Sequence, residues 1–318
     1  MSLFSISMNR RTFIQNTFKA GLFTGISILP ASSLLAKKMV NETYLTLLHT
    51  NDTHSQIFPF ESNSGHYAGM GGIESRKRMI EQIRSKGQPT LLLDAGDFCG
   101  DRPIYDAFKG KAELEAMRLL GYDAFTLGEK DFSGGIDNLA TQIQATGMKP
   151  TICNYDFTYT ALQNYYQPYT IIHRENLKIG VLGVLLPLHD KISISGIENL
   201  VYLDAVEQAN KTANILQQQQ CDIIICLSHL GDRYADGRIS DEVLAKNNDC
   251  IDVIIGGHTH KFFNQPRVYQ NKSSGHTLVN QAGWGGIQMG QLDYVFTNTT
   301  HKKLIRTRNI FLKEKKNE

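Results

Sequence analysis

The sequence predicts an α/β protein of layered sheets and helices, with a more antiparallel carboxy-terminal end. Two observations carry this. From residue 45 to residue 255, apolar runs of strand length alternate with segments of helical apolar spacing. Four strand-like runs finish in carboxylate or imidazole residues, namely Asp52-Thr53-His54, Asp97, Ser228-His229 and Gly256-Gly257-His258-Thr259-His260. Open α/β sheets keep their sites beyond the carboxyl ends of strands.

Taken in order, Leu45 to His54 (LTLLHTNDTH) opens the pattern as a strand running into a turn. Residues i and i+2 share one side of a strand, so Asp52 and His54 are expected to point at one spot. Ile73 to Lys86 has helical spacing, Thr90 to Leu93 is a short strand ending in Asp94-Ala95-Gly96-Asp97, and Ala112 to Leu120 is helical. A strand at Ala124 to Leu127, a helix near Ile136 to Thr146 and a strand at Thr151 to Cys153 follow. Tyr169 to His173 and Lys178 to Leu185, parted by Arg174-Glu175-Asn176, predict a hairpin. Helix Asp204 to Gln219 leads into strand Asp222 to Leu227, and a helix at Asp241 to Lys246 leads into strand Val253 to Ile255. From Arg267 to about Leu312, several short β segments are expected.

With 318 residues, 41% of them hydrophobic and 20% charged, the chain has enough material for a sizeable core. Residues 1–36 read as an export signal: Asn9-Arg10-Arg11-Thr12-Phe13-Ile14, the apolar run Ala20 to Leu29, Pro30, and small residues ending near Ala36. The arginine pair suggests the twin-arginine route, and an exported, periplasmic or extracellular product is expected. The apolar run is well short of the ~20 residues that span a bilayer, so stable membrane insertion is not expected. The leader holds Arg10, Arg11 and Lys19 and no acid, which leaves residues 37–318 close to neutral and gives no sign of a nucleic-acid partner. The five cysteines (Cys99, Cys153, Cys221, Cys226 and Cys250) lie in or beside apolar runs without CxxC spacing. They read as mostly buried thiols, with one disulfide still open in an oxidising compartment.

A single histidine beside a strand is more often a hydrogen-bonded structural residue. Four strand ends bearing Asp and His in one α/β pattern are hard to explain as packing. Carboxylate and imidazole together suit manganese, zinc or iron better than magnesium or calcium. Gly256 and Gly257 leave the backbone free to approach such a site closely.

The motifs TNDTH, DAGD, LSHLG and GGHTH, in this order and spacing, resemble the calcineurin-like metallophosphoesterases, and specifically the catalytic domain of the 5′-nucleotidase family. The resemblance runs from about Leu45 to Asp293 and includes the QAGWGGIQMGQLD stretch. It implies a four-layer sandwich, two mixed β-sheets flanked by helices, over residues 37–318. It implies two divalent ions, one held by Asp52, His54 and His260, the other by His229 and His258, with Asp97 between them. The activity implied is hydrolysis of phosphate monoesters, 5′-nucleotides among them, by attack of a metal-bridging hydroxide.

The family carries Gly-Asn-His-Glu or Gly-Asn-His-Asp, then Phe-Asp, after its third strand. Its Asn binds the second metal, its His assists at the transition state, and the later Asp orients that His. Here the stretch is Leu127-Gly128-Glu129-Lys130-Asp131-Phe132-Ser133, so Glu129, Lys130 and Ser133 stand at those three positions. In one reading Glu129 still ligates the second ion and Lys130 meets the phosphate as a point charge, although a Lys proton donor starts from a pKa of about 10.4. In the other, an ammonium at Lys130, paired with Glu129 or Asp97, takes the second ion's place and leaves a weakened or inactive binding or accessory protein. Family members usually continue into a carboxy-terminal domain that clamps the nucleoside, so a separately encoded partner domain is expected to complete the pocket. Tyr155, Phe157, Phe262, Phe263 and Trp284 are candidate pocket aromatics, each weighed against a place in the core.

Overall fold

The computed structural model describes residues 42–100, 102–188, 194–297 and 301–313. The leader expected at residues 1–36 lies outside them. Five strands form the first sheet: β1 (Glu42–Thr50), β2 (Thr90–Asp94), β3 (Ala124–Phe125), β12 (Gln288–Thr297) and β13 (His301–Phe311), ordered β13-β12-β1-β2-β3. β1, β2 and β3 are parallel, while β12 joins β1 antiparallel and turns back into β13. The second sheet holds β5 (Tyr169–Arg174), β6 (Leu177–Leu185), β8 (Ile223–His229), β9 (Val253–Gly256), β10 (Arg267–Gln270) and β11 (His276–Asn280), ordered β10-β11-β9-β8-β6-β5. Both sheets are mixed: the first is parallel from β1 to β3 and antiparallel from β1 to β13, and the second is parallel in the middle and antiparallel at both edges. A small antiparallel ribbon pairs β4 (Tyr155–Asp156) with β7 (Val201–Tyr202).

The two-residue period of the strands divides the core. Leu45 and Leu47, Leu91 and Leu93, Ile179 and Val181, Ile225 and Leu227, Val253 and Ile255 form one fully buried cluster drawn from both sheets. The intervening Leu48, Leu92, Leu182, Val184, Cys226 and Ile254 belong to a second cluster shared with the helices. Those helices are α1 (Ile73–Arg84), α2 (Pro103–Phe108), α3 (Lys111–Leu120), α4 (Ile136–Thr146), α5 (Ala205–Gln218) and α6 (Asp241–Asn247). Apolar residues therefore cover both faces of each central strand, giving the layers helix, sheet, sheet, helix. Each such Leu or Ile contributes about 1.5–3 kcal/mol by leaving water. Caps set the helix limits: the Asp204 carboxylate accepts from the Glu207 amide at 2.8 Å before α5, and left-handed Gly121 and Gly147 end α3 and α4.

Several local expectations are corrected. The strand expected at 124–127 stops at Phe125. Thr151 to Cys153 makes only an isolated bridge to Gln167, because its partner edge is met irregularly. The Cys153 amide bonds the Gly183 carbonyl at 2.8 Å, and the Asn154 side chain takes both the amide (2.9 Å) and the carbonyl (2.7 Å) of Leu185. The tail is not all short segments, since β12 and β13 have 10 and 11 residues. Its strands outlast their sequence signal by pairing along their whole length. All five cysteines are free thiols, so the open disulfide is not formed. No helix among the described residues is long and apolar enough to cross a membrane.

Candidate metal centre

β1 ends at Thr50, so strand alternation is not what brings Asp52 and His54 together. Both lie in a loop with left-handed backbone, φ 51° and 44°, and Asp97 (55°), His258 (68°) and His260 (54°) share that conformation. Side chains rarely accept this region, with Asp, Asn and His among the more tolerant, and such strain gathers at functional sites. The loops brace one another. The Asp52 amide donates to Gly96 O at 2.9 Å, the His54 amide to Asp97 O at 3.0 Å, and the Gly285 amide to Asp52 O at 2.7 Å. The His258 amide crosses from the second sheet to the Asp52 carboxylate at 3.0 and 3.1 Å. The four ligand-bearing strand ends thus divide between the two sheets and meet at one edge of the sandwich.

Three groups of ligand atoms overlap there: Asp52, His54 and His260; Glu129, His229 and His258; and Asp52, Asp97 and His229 between them. His260 Nε2 lies 3.4 Å from Asp52 Oδ1 and 2.9 Å from His54 Nε2. His229 Nε2 lies 3.3 Å from Asp97 Oδ2, 3.1 Å from Glu129 Oε2 and 3.9 Å from Asp52 Oδ1. Glu129 Oε1 is 2.9 Å from His258 Nδ1. All eight residues of the sequence expectation converge, Lys130 through its backbone amide, which donates to Asp97 Oδ1 at 2.8 Å. Ser133 is exposed, and its amide bonds the Lys130 carbonyl at 3.1 Å.

The surrounding groups fix how these atoms point. His229 is fully buried and its Nδ1 lies 2.7 Å from the Ala95 carbonyl, a contact that requires the Nδ1–H tautomer. Its Nε2 is buried without a hydrogen-bond partner, yet faces three carboxylates. A lone pair in that position needs a positive charge, either a proton or a cation, and the donor set fits a cation. The same carboxylates, led by Asp97, push the His229 pKa well up against its burial. Burial alone would raise Glu129, but the neighbouring imidazoles of His229 and His258 outweigh it and hold the carboxyl well below its usual range. Asp52 is buried too, and His260, His54 and His229 likewise pull it down. The Asn51 amide nitrogen steadies Asp52 at 2.7 Å.

Sequence reasoning left Asp131 without a role, although its motif ends in an acid throughout the family it resembles. Its carboxylate accepts from the amides of Asp97 (2.9 Å), Cys99 (2.8 Å) and Gly128 (2.8 Å) and so ties the Asp97 loop to the turn carrying Glu129. Close approach also matters. A Cβ on Gly128 would collide with Asp97 and His229, and one on Gly257 would sit 2.9 Å from His229 Nδ1 and 3.1 Å from Asp52 Oδ2. Among the candidate aromatics, Tyr155, Phe157 and Phe263 are core residues. Phe262 and Trp284 instead join Phe60 and Tyr67 beside the site, and the Trp284 ring stacks on His260 at 5.9 Å and 17°. His49, within β1, is structural: it is buried, accepts from the Asn280 side chain at 2.8 Å, and burial takes its pKa down to about 3.

Sandwich and ligand cluster together define a calcineurin-like phosphoesterase. That family's sequence profile matches residues 45–262, and the chain belongs to the family. Within it the chain is similar to the snake venom 5′-nucleotidase of Gloydius brevicauda, 29% identical over 272 residues, 79% of this chain and 45% of that protein. It is also 27% identical to the 5′-nucleotidase of Vibrio parahaemolyticus, over 92% of this chain and 55% of that protein. The crystal structure of the 5′-nucleotidase precursor from Thermus thermophilus superposes with a TM-score of 0.76 at 27% identity, covering 85% of this chain and 55% of that one. The chain spans about half the length of these relatives.

Proposed function

We propose that the chain is a metal-dependent hydrolase of phosphate monoesters, 5′-nucleotides among them, exported through the leader read in residues 1–36. The observation that carries this is the buried His229 Nε2, unpartnered and ringed by Asp52, Asp97 and Glu129 at the junction of the two ligand triads. Asp52, His54 and His260 would hold one divalent ion, Glu129, His229 and His258 the other, with Asp97 between them. Such ions supply positive charge that acidifies a water and offsets the charge on the phosphoryl group. The remaining work falls to the chain. Ala95 O holds the His229 tautomer, Asn51 and the His258 amide hold Asp52, and the Lys130 amide holds Asp97. Glu129 adds a third carboxylate where relatives of this type carry a neutral Asn, and Lys130 adds a cation where they carry His. This pair makes a slower enzyme with altered metal preference.

The second reading, a weakened or inactive binding protein, draws on Glu129 already lying in ion-pair distance of His229 and His258. Phosphate release from a nucleoside monophosphate and an aryl phosphate, with manganese, zinc, cobalt and magnesium in turn, separates the two. The first reading requires turnover by the natural protein and none by His258→Ala. Turnover only by the Glu129→Asn, Lys130→His, Ser133→Asp variant would retire it in favour of the second.

A further inference from the structure

The four imidazoles of the metal centre are not held alike. His229 is fully buried and turned by the Ala95 carbonyl at 2.7 Å. His54, its side chain 14% exposed, is hemmed in by Gly100, where a Cβ would sit 2.9 Å from its Nδ1. His258, 16% exposed, has its Nδ1 2.9 Å from Glu129 Oε1. His260 differs: its side chain is 40% exposed, and no hydrogen bond among the described residues reaches its Nδ1. Metal-binding imidazoles ordinarily fix their ring by donating from the second nitrogen, so His260 needs another restraint.

The Trp284 ring occupies that place. It lies 5.9 Å from the His260 ring at 17°, a near-parallel stack that opposes rotation of the imidazole out of the Asp52, His54 and His260 triad. Trp284 is itself fixed. Phe60 and Tyr67 meet it edge-on at 5.4 and 6.0 Å. On one side its backbone is tied to Asn51, whose side chain donates to the Gly283 carbonyl at 2.7 Å and accepts from the Ala282 amide at 2.8 Å. On the other, the Gly285 amide donates to the Asp52 carbonyl at 2.7 Å. The ring is thus anchored to the same loop that carries Asp52 and His54, the residues with which His260 would share an ion.

We propose that Trp284 is a positioning residue for His260. It holds the most exposed imidazole of the centre in the orientation that completes one metal site, and it has no part in the Glu129, His229 and His258 site. The proposal rests on the metal-centre reading given under Proposed function and is independent of turnover.

The test measures zinc affinity by competition with a chromophoric chelator, which follows the binding steps without reading activity. Trp284→Ala should weaken one zinc step about tenfold and leave the other unchanged. Trp284→Phe, which keeps a ring, should recover most of that loss, and Trp284→Leu, apolar but ringless, should not. In a His260→Ala background Trp284→Ala should cost nothing further, because both residues act through one ligand. Unchanged zinc binding in Trp284→Ala, or both steps weakened alike, would overturn the proposal. So would a loss that persists in full in the His260→Ala background, since the tryptophan would then act through general packing. Should Trp284→Ala not fold, the Phe and Leu variants decide: equal affinities overturn the proposal, and tighter binding by Phe supports it. A natural protein that binds no zinc, or a His260→Ala variant that binds it equally well, would overturn the metal-centre reading together with this proposal. A zinc step lost with His260→Ala but indifferent to Trp284 overturns this proposal alone.

Discussion

Replacing Asp131 tests whether the buried amide clamp positions the metal centre. The carboxylate, 1% exposed, accepts three backbone N–H groups, Oδ2 from Asp97 and Gly128 and Oδ1 from Cys99. Asp131→Ala leaves three buried donors without partners. At about 1–3 kcal/mol for each, the loss is roughly 3 kcal/mol or more. Asp131→Asn keeps an oxygen for Asp97 and Gly128 but sets its NH₂ against the Cys99 amide, a loss of about 1–3 kcal/mol. Urea unfolding of the chelator-treated protein should therefore rank natural above Asn above Ala. Because Asp97 and Glu129 lie on the two segments being tied, calorimetric titration with zinc should show weakened binding in the same order. Two variants unfolding within about 0.5 kcal/mol of the natural protein, with unchanged zinc affinity, would refute the clamp.

Three further outcomes are expected. Burial pushes Asp94 up to about 7, against hydrogen bonds from Thr50 and the Gly96 amide. The folded protein then keeps a proton that the unfolded chain has released, so this group's contribution to stability falls as pH rises from about 4 to about 7. Asp94→Asn should flatten that fall and gain on the order of 1–4 kcal/mol above it, read from urea midpoints of the metal-free protein at about pH 5 and pH 8; an equal loss at both pH values would count against this. Gly128→Ala, whose Cβ meets Asp97 and His229, should reduce zinc affinity measured by calorimetry, whereas Gly147→Ala, with open space around it, should cost stability alone. Zinc at about 100 times its dissociation constant should stabilise the protein by about 2.7 kcal/mol for each ion held, an increment lost with a chelator and reduced in His229→Ala, both checked by thermal unfolding.

Much of the fold and site is legible in the amino-acid sequence. The alternation of apolar runs gives the layered α/β class, and the Asp and His residues at four strand ends mark where the chemistry lies. Their residue types alone point to a divalent metal ion as the ligand. How those ends meet is not legible there. Residues 52 and 54 converge through left-handed backbone held by Gly96, Asp97 and Gly285, and no two-residue period encodes such long-range bracing. The division of the ligands between two sheets depends on strand order, with β12 returning beside β1 and β9 lying next to β8. Asp131, an acid in a polar turn by sequence, becomes a positioning residue only once three amides from two loops are folded around it. Local pattern determines which residues this protein carries to its site. Contacts between residues far apart in the chain decide their geometry, because the donors that orient each side chain come from other loops.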